Sequence, residues 1–320
     1  MARTAVVLMN LGGPDSPEAV RPFLYNLFSD PAIIRLPGLV RLPLARLIAR
    51  QRARVASGIY DRLGGKSPLL ANTEAQARAL EASLESEHRC FVAMRYWHPT
   101  SAETARAVAD WRPDEIVCLP LYPQFSTTTT ASSLAAWRSA ATRYDLDCPV
   151  RTVRCYPAEE GFIKALVGLI RPVLDLAADG DKLPRLLLTA HGLPKKIVRD
   201  GDPYQTQIES TAAAVINALE RPGLDWRVCY QSRVGPLEWI GPATDDEIRR
   251  AGGDGVPVVV APISFVSEHS ETLVELDLDY RHLAEASGVP AYHRVPTVGT
   301  DPSFIQALAH LVRCAPGGAD

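Results

Sequence analysis

With 320 residues, 47% of them hydrophobic, the chain is long enough for two ordinary domains, each with its own core. A formal net charge of −3 supplies no basic field of the kind that binds nucleic acid, and no window approaches the ~18 apolar residues needed to span a bilayer. Six scattered cysteines without a C-x-x-C pair argue against a zinc knuckle or a redox motif, and fit a soluble protein of the reducing cytoplasm.

The opening MARTAVVLMNLGGP reads as a strand, TAVVLMNL (4–11), without the longer apolar core and small-residue cleavage site of a secretory leader. The NLGGPDSP that follows is not G-x-G-x-x-G and supports no dinucleotide site. Residues 31–54, PAIIRLPGLVRLPLARLIARQRAR, carry six arginines and no acid among Leu, Ile and Val. Such a segment is either a solvated basic helix face or a lip suited to a membrane surface or an anionic, apolar ligand. GGKS (64–67) looks like the tail of a phosphate-binding loop. That motif needs a glycine where Tyr60 stands and a strand before it, whereas RVASGIYDRL reads as a helix. Three more strands follow in the first half: FVAMRYW (91–97), EIVCLPLY (115–122) and VRTVRCY (150–156). After the polar AADGDKLP (177–184), a natural linker, come RLLLTAH (185–191), RVCYQSR (227–233), VPVVVAPISF (256–265) and AYHRVPTV (291–298).

Strands alternate with helix-patterned segments throughout, the signature of parallel βα units. The halves also rhyme. NLGGP parallels HGLP, LPLYPQFS parallels APISFVSE, and EEGFIKAL (159–166) parallels DPSFIQAL (301–308), the last pair and the third strands sharing an offset of 142 residues. The expected fold is α/β: two similar doubly wound parallel-sheet lobes with a cleft between them, divided into residues 1–178 and 179–320. Ligands of open parallel sheets sit beyond the carboxyl ends of the strands, so chemistry should be sought there.

Two strand ends carry it. TAHGLP places His191 where a strand meets a turn, a position that also suits a merely hydrogen-bonded structural histidine. SEHSETLVELDLDY (267–280) follows a buried strand with five acidic residues, one histidine (His269) and no base. If residues 270–283 are helical, Glu271, Glu275 and Asp279 form one row, opposite a stripe of Leu273, Leu276, Tyr280 and Leu283. A solvated face would carry lysines to relieve i, i+4 repulsion, and none is present. One imidazole with one or two carboxylates, and no thiolate, makes a labile site for a borderline divalent ion or a proton relay. Aromatics near strand ends (Tyr96, Trp97, Tyr122, Phe125, Trp239, Phe265) are candidates to line a flat apolar pocket.

Seven pieces in register, NLGGPDSPEAV, GGKSPL, MRYWHP, LPLYPQFSTTTTASS, TAHGLP, YQSRVGPLEWIGP and SEHSETLVELDLDY, make the chain resemble the ferrochelatase family from residue 10 to 280. The resemblance implies two flavodoxin-like lobes, an N-terminal one with a porphyrin-binding lip and a C-terminal one with the metal site. It implies an ATP-independent lyase that inserts ferrous iron into a porphyrin, protoporphyrin IX to haem b. By motif it makes His191 and Glu271 the catalytic and metal-site pair with Glu275 next in the row, sets Arg52, Tyr60 and Ser67 against the propionates, and puts Arg95, Tyr96 and Trp239 in the pocket. Some relatives hold a [2Fe–2S] cluster through cysteines; Thr127 stands at the internal position and the tail has only Cys314, so no cluster and no permanent cofactor are expected. The expected partners are porphyrin and Fe2+, without nucleic acid, for a cytoplasmic monomer with peripheral membrane-surface association. The rival readings are a non-catalytic bilobal tetrapyrrole or metal carrier, which needs no proton acceptor, and a chelatase for another metal or porphyrin.

Overall fold

The computed structural model describes residues 2–178, 182–233 and 235–317. Strands form at all eight apolar runs. β1 (Thr4–Asn10), β2 (His88–Met94), β3 (Glu115–Pro120) and β4 (Val150–Thr152) build one sheet in the order β2-β1-β3-β4. β5 (Arg185–His191), β6 (Trp226–Gln231), β7 (Val258–Pro262) and β8 (Tyr292–Arg294) build a second, in the equivalent order β6-β5-β7-β8. Every pairing is parallel. Central strands read as continuous apolar runs because both faces are covered: all of β1 and all of β7 is buried. The edge strands β4 and β8 are only three residues long. β2 starts and stops three residues before the predicted run. Arg95 and Tyr96 therefore lie beyond its carboxyl end, their amides bonded to the carbonyls of Asn10 and Leu11.

The helices of the first half are α1 (Val20–Phe28), α2 (Gly38–Asp61), α3 (Leu69–Ser83), α4 (Ser101–Trp111) and α5 (Thr130–Arg143). Those that follow are α6 (Glu160–Ala177), α7 (Lys195–Arg199), α8 (Tyr204–Leu219), α9 (Thr244–Asp254), α10 (Tyr280–Ala286) and α11 (Pro302–Cys314). A π-helix, Glu271–Asp279, runs directly into α10. β3 and β7 start 143 residues apart (115 to 258) and β4 and β8 142 apart (150 to 292), but β1 and β5 start 181 apart (4 to 185). The excess lies between β1 and β2, where the first half carries α1 and the long α2.

The chain forms two compact units, one running to Cys155 and taking in the chain from Leu308, the other Tyr156–Ala307. The division read from the sequence, at 178/179, thus falls one helix later than the division in space. α6 belongs to the second unit, where Thr211 of α8 donates to Pro157 O at 2.6 Å and Phe162 packs on Phe304. Residues 179–181 of the expected linker lie outside the described residues.

α2 reverses the usual amphipathic order. Ala45, Ala49 and Tyr60 are buried along one side, while Leu39, Val40, Leu47 and Val55 are exposed, Leu39 by 93%. The two glycine-rich loops that look like phosphate sites instead dock on each other: Ser67 N donates to Pro14 O at 2.8 Å, and a Cβ on Gly13 would stand 2.5 Å from Ser67 Oγ. Gly12, at φ +86°, takes a left-handed conformation that strains any side chain, and a Cβ there would crowd Trp97 N at 3.1 Å.

Beyond β2, a buried Asp30 collects four donors. Its Oδ2 accepts from Arg95 Nη2 (2.7 Å), Tyr96 OH (2.7 Å) and Ser132 Oγ, and its Oδ1 from Ala32 N (2.8 Å). Burial works to raise the Asp30 pKa, but the Ser132, Ala32 and Tyr96 hydrogen bonds and the Arg95 charge outweigh it and hold it below the ordinary value. Asp30→Ala strands Arg95 and should cost about 3–5 kcal/mol in a urea titration. A depressed folded pKa gives stability that is full above the unfolded value of 3.8 and lost as pH falls through the folded one. The gap between wild type and variant should therefore narrow below that pH; a gap unchanged with pH would assign the loss to packing.

Candidate functional site

The site grows from three adjacent strand ends. β5 stops at His191 and β6, on one side of it, at Gln231. β7, on the other side, leads through Ile263–Ser270 into the π-helix. Ile263 N donates to Thr189 O at 3.0 Å, which extends the β5–β7 ladder by one rung, and His191 N reaches Ser264 Oγ at 3.4 Å. Glu271, first residue of the π-helix, then meets His191 Nδ1 through Oε2 at 2.8 Å. With Nδ1 engaged, Nε2 is the ring nitrogen left for a ligand or a proton.

The helix type differs from the expected α-helix and changes the carboxylate row. In an α-helix a residue four positions on is displaced by about 40° around the axis. The wider π-turn, closed by i→i+5 bonds, brings Glu275 nearer to eclipsing Glu271. Burial follows suit: Thr272, Val274 and Leu276 face the interior, whereas Leu273 is only partly covered. Asp279, last in the row, is exposed.

Glu275 is held by neutral donors. Ser232 supplies two, its amide to Oε1 (2.9 Å) and its hydroxyl to Oε2 (2.5 Å); Gln231 Nε2 (3.0 Å) and Tyr280 OH (3.1 Å) supply the others. Ser232 adopts φ +63°, a left-handed conformation uncommon for a serine, which turns both its donors to one carboxylate. Thr189 Oγ1 donates to Gln231 Oε1 at 3.2 Å, so the amide nitrogen of Gln231 faces the π-helix and also bonds Glu271 O at 3.2 Å.

These surroundings drive two neighbouring carboxylates apart. Burial works against charge on His191, yet the Glu271 charge and hydrogen bond hold its pKa above the usual imidazole value. Burial would also raise Glu271, but His191 above all, then His269 and Ser232, bring it down to about 2. Glu275 moves the other way: burial and the Glu271 charge raise its pKa against the bonds from Ser232 and Gln231. His269 stands by, its Nε2 4.0 Å from Glu271 Oε2, its Nδ1 3.1 Å from Ser267 O and its ring against Phe265.

Trp239 is brought to the same place. The HGLP and EWIG segments pair, Ile240 N to Leu193 O (2.9 Å) and Lys195 N to Glu238 O (2.8 Å). A Cβ on Gly192 would press on Gln231 O at 3.0 Å and on the Trp239 ring at 3.2 Å, so a larger residue would have to push one of them aside. The indole Nε1 is buried without a protein partner. A cavity of about 560 Å³ borders Glu275, with Trp239, Arg233, Arg249 and Asp279 in its wall. Among the described residues no three His, Cys, Asp or Glu side chains converge as a ready metal cage.

Of the nine residues singled out in the sequence, His191, Glu271, Glu275 and Trp239 thus lie together in the second unit. The other five lie in the first. Arg95 and Tyr96 share Asp30, Tyr60 packs in one apolar cluster with Tyr96, Ser67 sits in the docked glycine loop, and Arg52 is exposed on α2. Sequence reading missed Gln231 and Ser232, although YQSR was in view, because nothing in the letters reports a left-handed serine or an amide shared between two glutamates. It missed Asp30 because a lone Asp-Pro reads as a turn.

The ferrochelatase family model matches residues 3–315. The ferrochelatase of Caulobacter vibrioides is 57% identical over 322 aligned positions, covering 99% of this chain and 91% of its own. That of a Wolbachia from Drosophila simulans is 49% identical, covering 97% and 98%. Among solved structures, SirB from Bacillus subtilis with Fe3+ shares the fold at a TM-score of 0.58 and 13% identity, over 97% of this chain and 94% of that one. The order of strands, the histidine and carboxylates at their ends, and this extent of identity agree: the chain belongs to the ferrochelatase family.

Proposed function

We propose that His191, Glu271 and Glu275 are the metal- and proton-handling centre with which this ferrochelatase inserts Fe2+ into a porphyrin. The observation that carries the reading is the 2.8 Å contact between His191 Nδ1 and Glu271, with a second carboxylate of raised pKa one turn along the helix. Insertion releases two pyrrole protons as a divalent ion enters, so charge on the macrocycle is conserved. The raised pKa of His191 and the lowered one of Glu271 favour an imidazolium–carboxylate pair at rest, in which each charge offsets the burial of the other. An approaching dication drives the Nε2 proton of the part-exposed imidazolium out to solvent water and so frees Nε2, which then accepts a pyrrole proton or ligates the ion. Glu271 balances the charge, and Glu275 takes the proton onward. Two carboxylates with pKa values driven apart are suited to these two tasks. Bending the flat macrocycle to expose its nitrogen lone pairs is offset by binding of its periphery.

His191→Ala should collapse kcat and leave porphyrin affinity nearly unchanged, and Glu271→Gln should do the same. Because the pair acts as a unit, the double variant should be little worse than either single one. Glu275→Gln should cost less. Steady-state insertion and porphyrin titration, with circular dichroism to confirm folding, are the measurements. A folded His191→Ala with wild-type kcat would make His191 a structural histidine and sink this reading.

The exposed arginines and leucines of α2 support porphyrin propionate binding and peripheral attachment to an anionic membrane surface. No described helix is long and apolar enough to cross a membrane. Arg52→Ala should raise the KM of free-acid porphyrin by the equivalent of about 1–3 kcal/mol and leave the esterified porphyrin indifferent. Equal losses would mean that Arg52 does not meet a propionate. Binding to anionic vesicles should fall steeply with salt, and salt-independent binding would remove the electrostatic part of the attachment.

On this reading the protein carries no iron–sulfur cluster, which the chemistry of its residues supports: Thr127 offers no thiolate, Cys118 and Cys229 are buried in strands with pKa values pushed up to about 12, and Cys314 is exposed at the end of α11. Anaerobically purified protein should show no [2Fe–2S] absorption. A stoichiometric cluster spectrum would refute this.

A further inference from the structure

A π-helix of nine residues, Glu271–Asp279, is long for a conformation that mostly occurs as a single widened turn. Something outside the helix must hold it open, since its own sequence, ETLVELDLD, is compatible with an ordinary α-helix. Most of the restraints come from one short strand, β8. Arg294, at the end of β8, takes Asp277 in a two-pronged grip, Nε to Oδ1 at 2.9 Å and Nη2 to Oδ2 at 2.6 Å. Its third nitrogen, Nη1, donates to Glu268 Oε1 at 2.6 Å, and that same oxygen accepts from Thr297 N at 3.0 Å. One guanidinium therefore ties a residue just before the helix to a residue near its end. The two tied positions bracket Glu271 and Glu275.

Tyr292, two residues earlier on β8, donates its buried hydroxyl to Leu276 O at 2.7 Å. Arg281 adds Nε to Asp277 O and Nη1 to Tyr292 O, both at 3.2 Å. Side chains thus take up backbone carbonyls in the stretch that the π-turn widens. β8 is in turn registered on β7, Val258 opposite Tyr292 and Val260 opposite Arg294, and β7 on β5, which ends at His191. The sheet, Arg294, the π-helix and the His191–Glu271 contact close a ring of rigid links.

We propose that Arg294 is the positioning residue of this site: by stapling Glu268 to Asp277 it sets the register of the π-helix, and so where Glu271 and Glu275 stand relative to His191. The inference rests on the assignment of those carboxylates to metal and proton handling. It also gives Glu268 a role distinct from the rest of the acidic stretch, as an anchor for the guanidinium.

The test is steady-state iron insertion by the full-length protein, with porphyrin titration and amide hydrogen exchange. Arg294→Ala should lower kcat about 10–100-fold, as for partners that orient a metal-site ligand, with porphyrin KM unchanged and faster exchange at residues 271–279. Asp277→Asn should behave alike, and the pair together should be little worse than either alone. Arg294→Lys keeps the charge but not the fork, and should recover only part of kcat. Arg185 bridges Asp225 (2.7 Å) and Asp254 (2.9 Å) at the other end of β5, so Arg185→Ala should lower Tm without lowering kcat below it. Wild-type kcat in folded Arg294→Ala, or a kcat loss in Arg185→Ala as large as in Arg294→Ala, would overturn the proposal. Should Arg294→Ala not fold, Arg294→Lys and Asp277→Asn decide: wild-type kcat in both overturns it. Glu271→Gln in the same assay separates the two levels, since its inactivity beside an active Arg294→Ala removes only the staple, and its full activity removes the site.

Discussion

His191 and Glu271 are eighty residues apart in the chain and 2.8 Å apart in space, and the arrangement of the second unit turns on that contact. It exists because β5 and β7 are adjacent and parallel, which delivers both exits to one edge of the sheet. An antiparallel pairing would send the second exit to the opposite edge. The HGLP turn is tight enough to stop the histidine at the strand end, and the longer path from Ile263 to Ser270 lets the next helix begin over it. β6, on the far side of β5, adds Gln231 and Ser232 where the second carboxylate needs donors.

The chemistry depends on making two like groups unlike. Glu271 faces a cation and is held ionised; Glu275 faces hydroxyls and amides and the charge of Glu271, and is pushed toward its neutral form. Had both been paired with arginines, neither would exchange a proton near neutral pH. Had neither been hydrogen-bonded, burial would neutralise both. On the proposed reading, the scarcity of further ligands among the described residues suits an ion that is substrate and must move on.

In the first unit, Asp30 shows the structural version of the same problem. Its charge is buried among four donors, one of them a guanidinium, so its proton affinity falls, and the group fixes the loop that carries Arg95 and Tyr96. α2 shows the opposite economy. Its buried alanines let the helix lie close, while Leu39, Leu42, Leu47, Arg50 and Arg52 are exposed, an amphipathic surface that the proposed reading assigns to ligand or membrane.

The sequence by itself determined the eight strands, the duplicated α/β plan and the family, because buried parallel strands are apolar runs and the motifs at their ends recur in order. It also singled out His191, Glu271 and Glu275 as candidates, since a lysine-free acidic row after a core strand is hard to explain as surface, and the fold brings the three together. The helix type was beyond its reach: ETLVELDLD satisfies an α pattern, and the side chains that bond the π-helix, Arg294 and Tyr292 from β8 and Gln231 from β6, reach in from two places distant in the chain. The boundary between units was equally illegible, because α6 follows β4 in the repeat but buries its apolar stripe on α8. What a side chain's donors and neighbours do to its charge was settled only in three dimensions. Proton affinity depends on distances of a few ångströms between groups that the chain holds tens of residues apart.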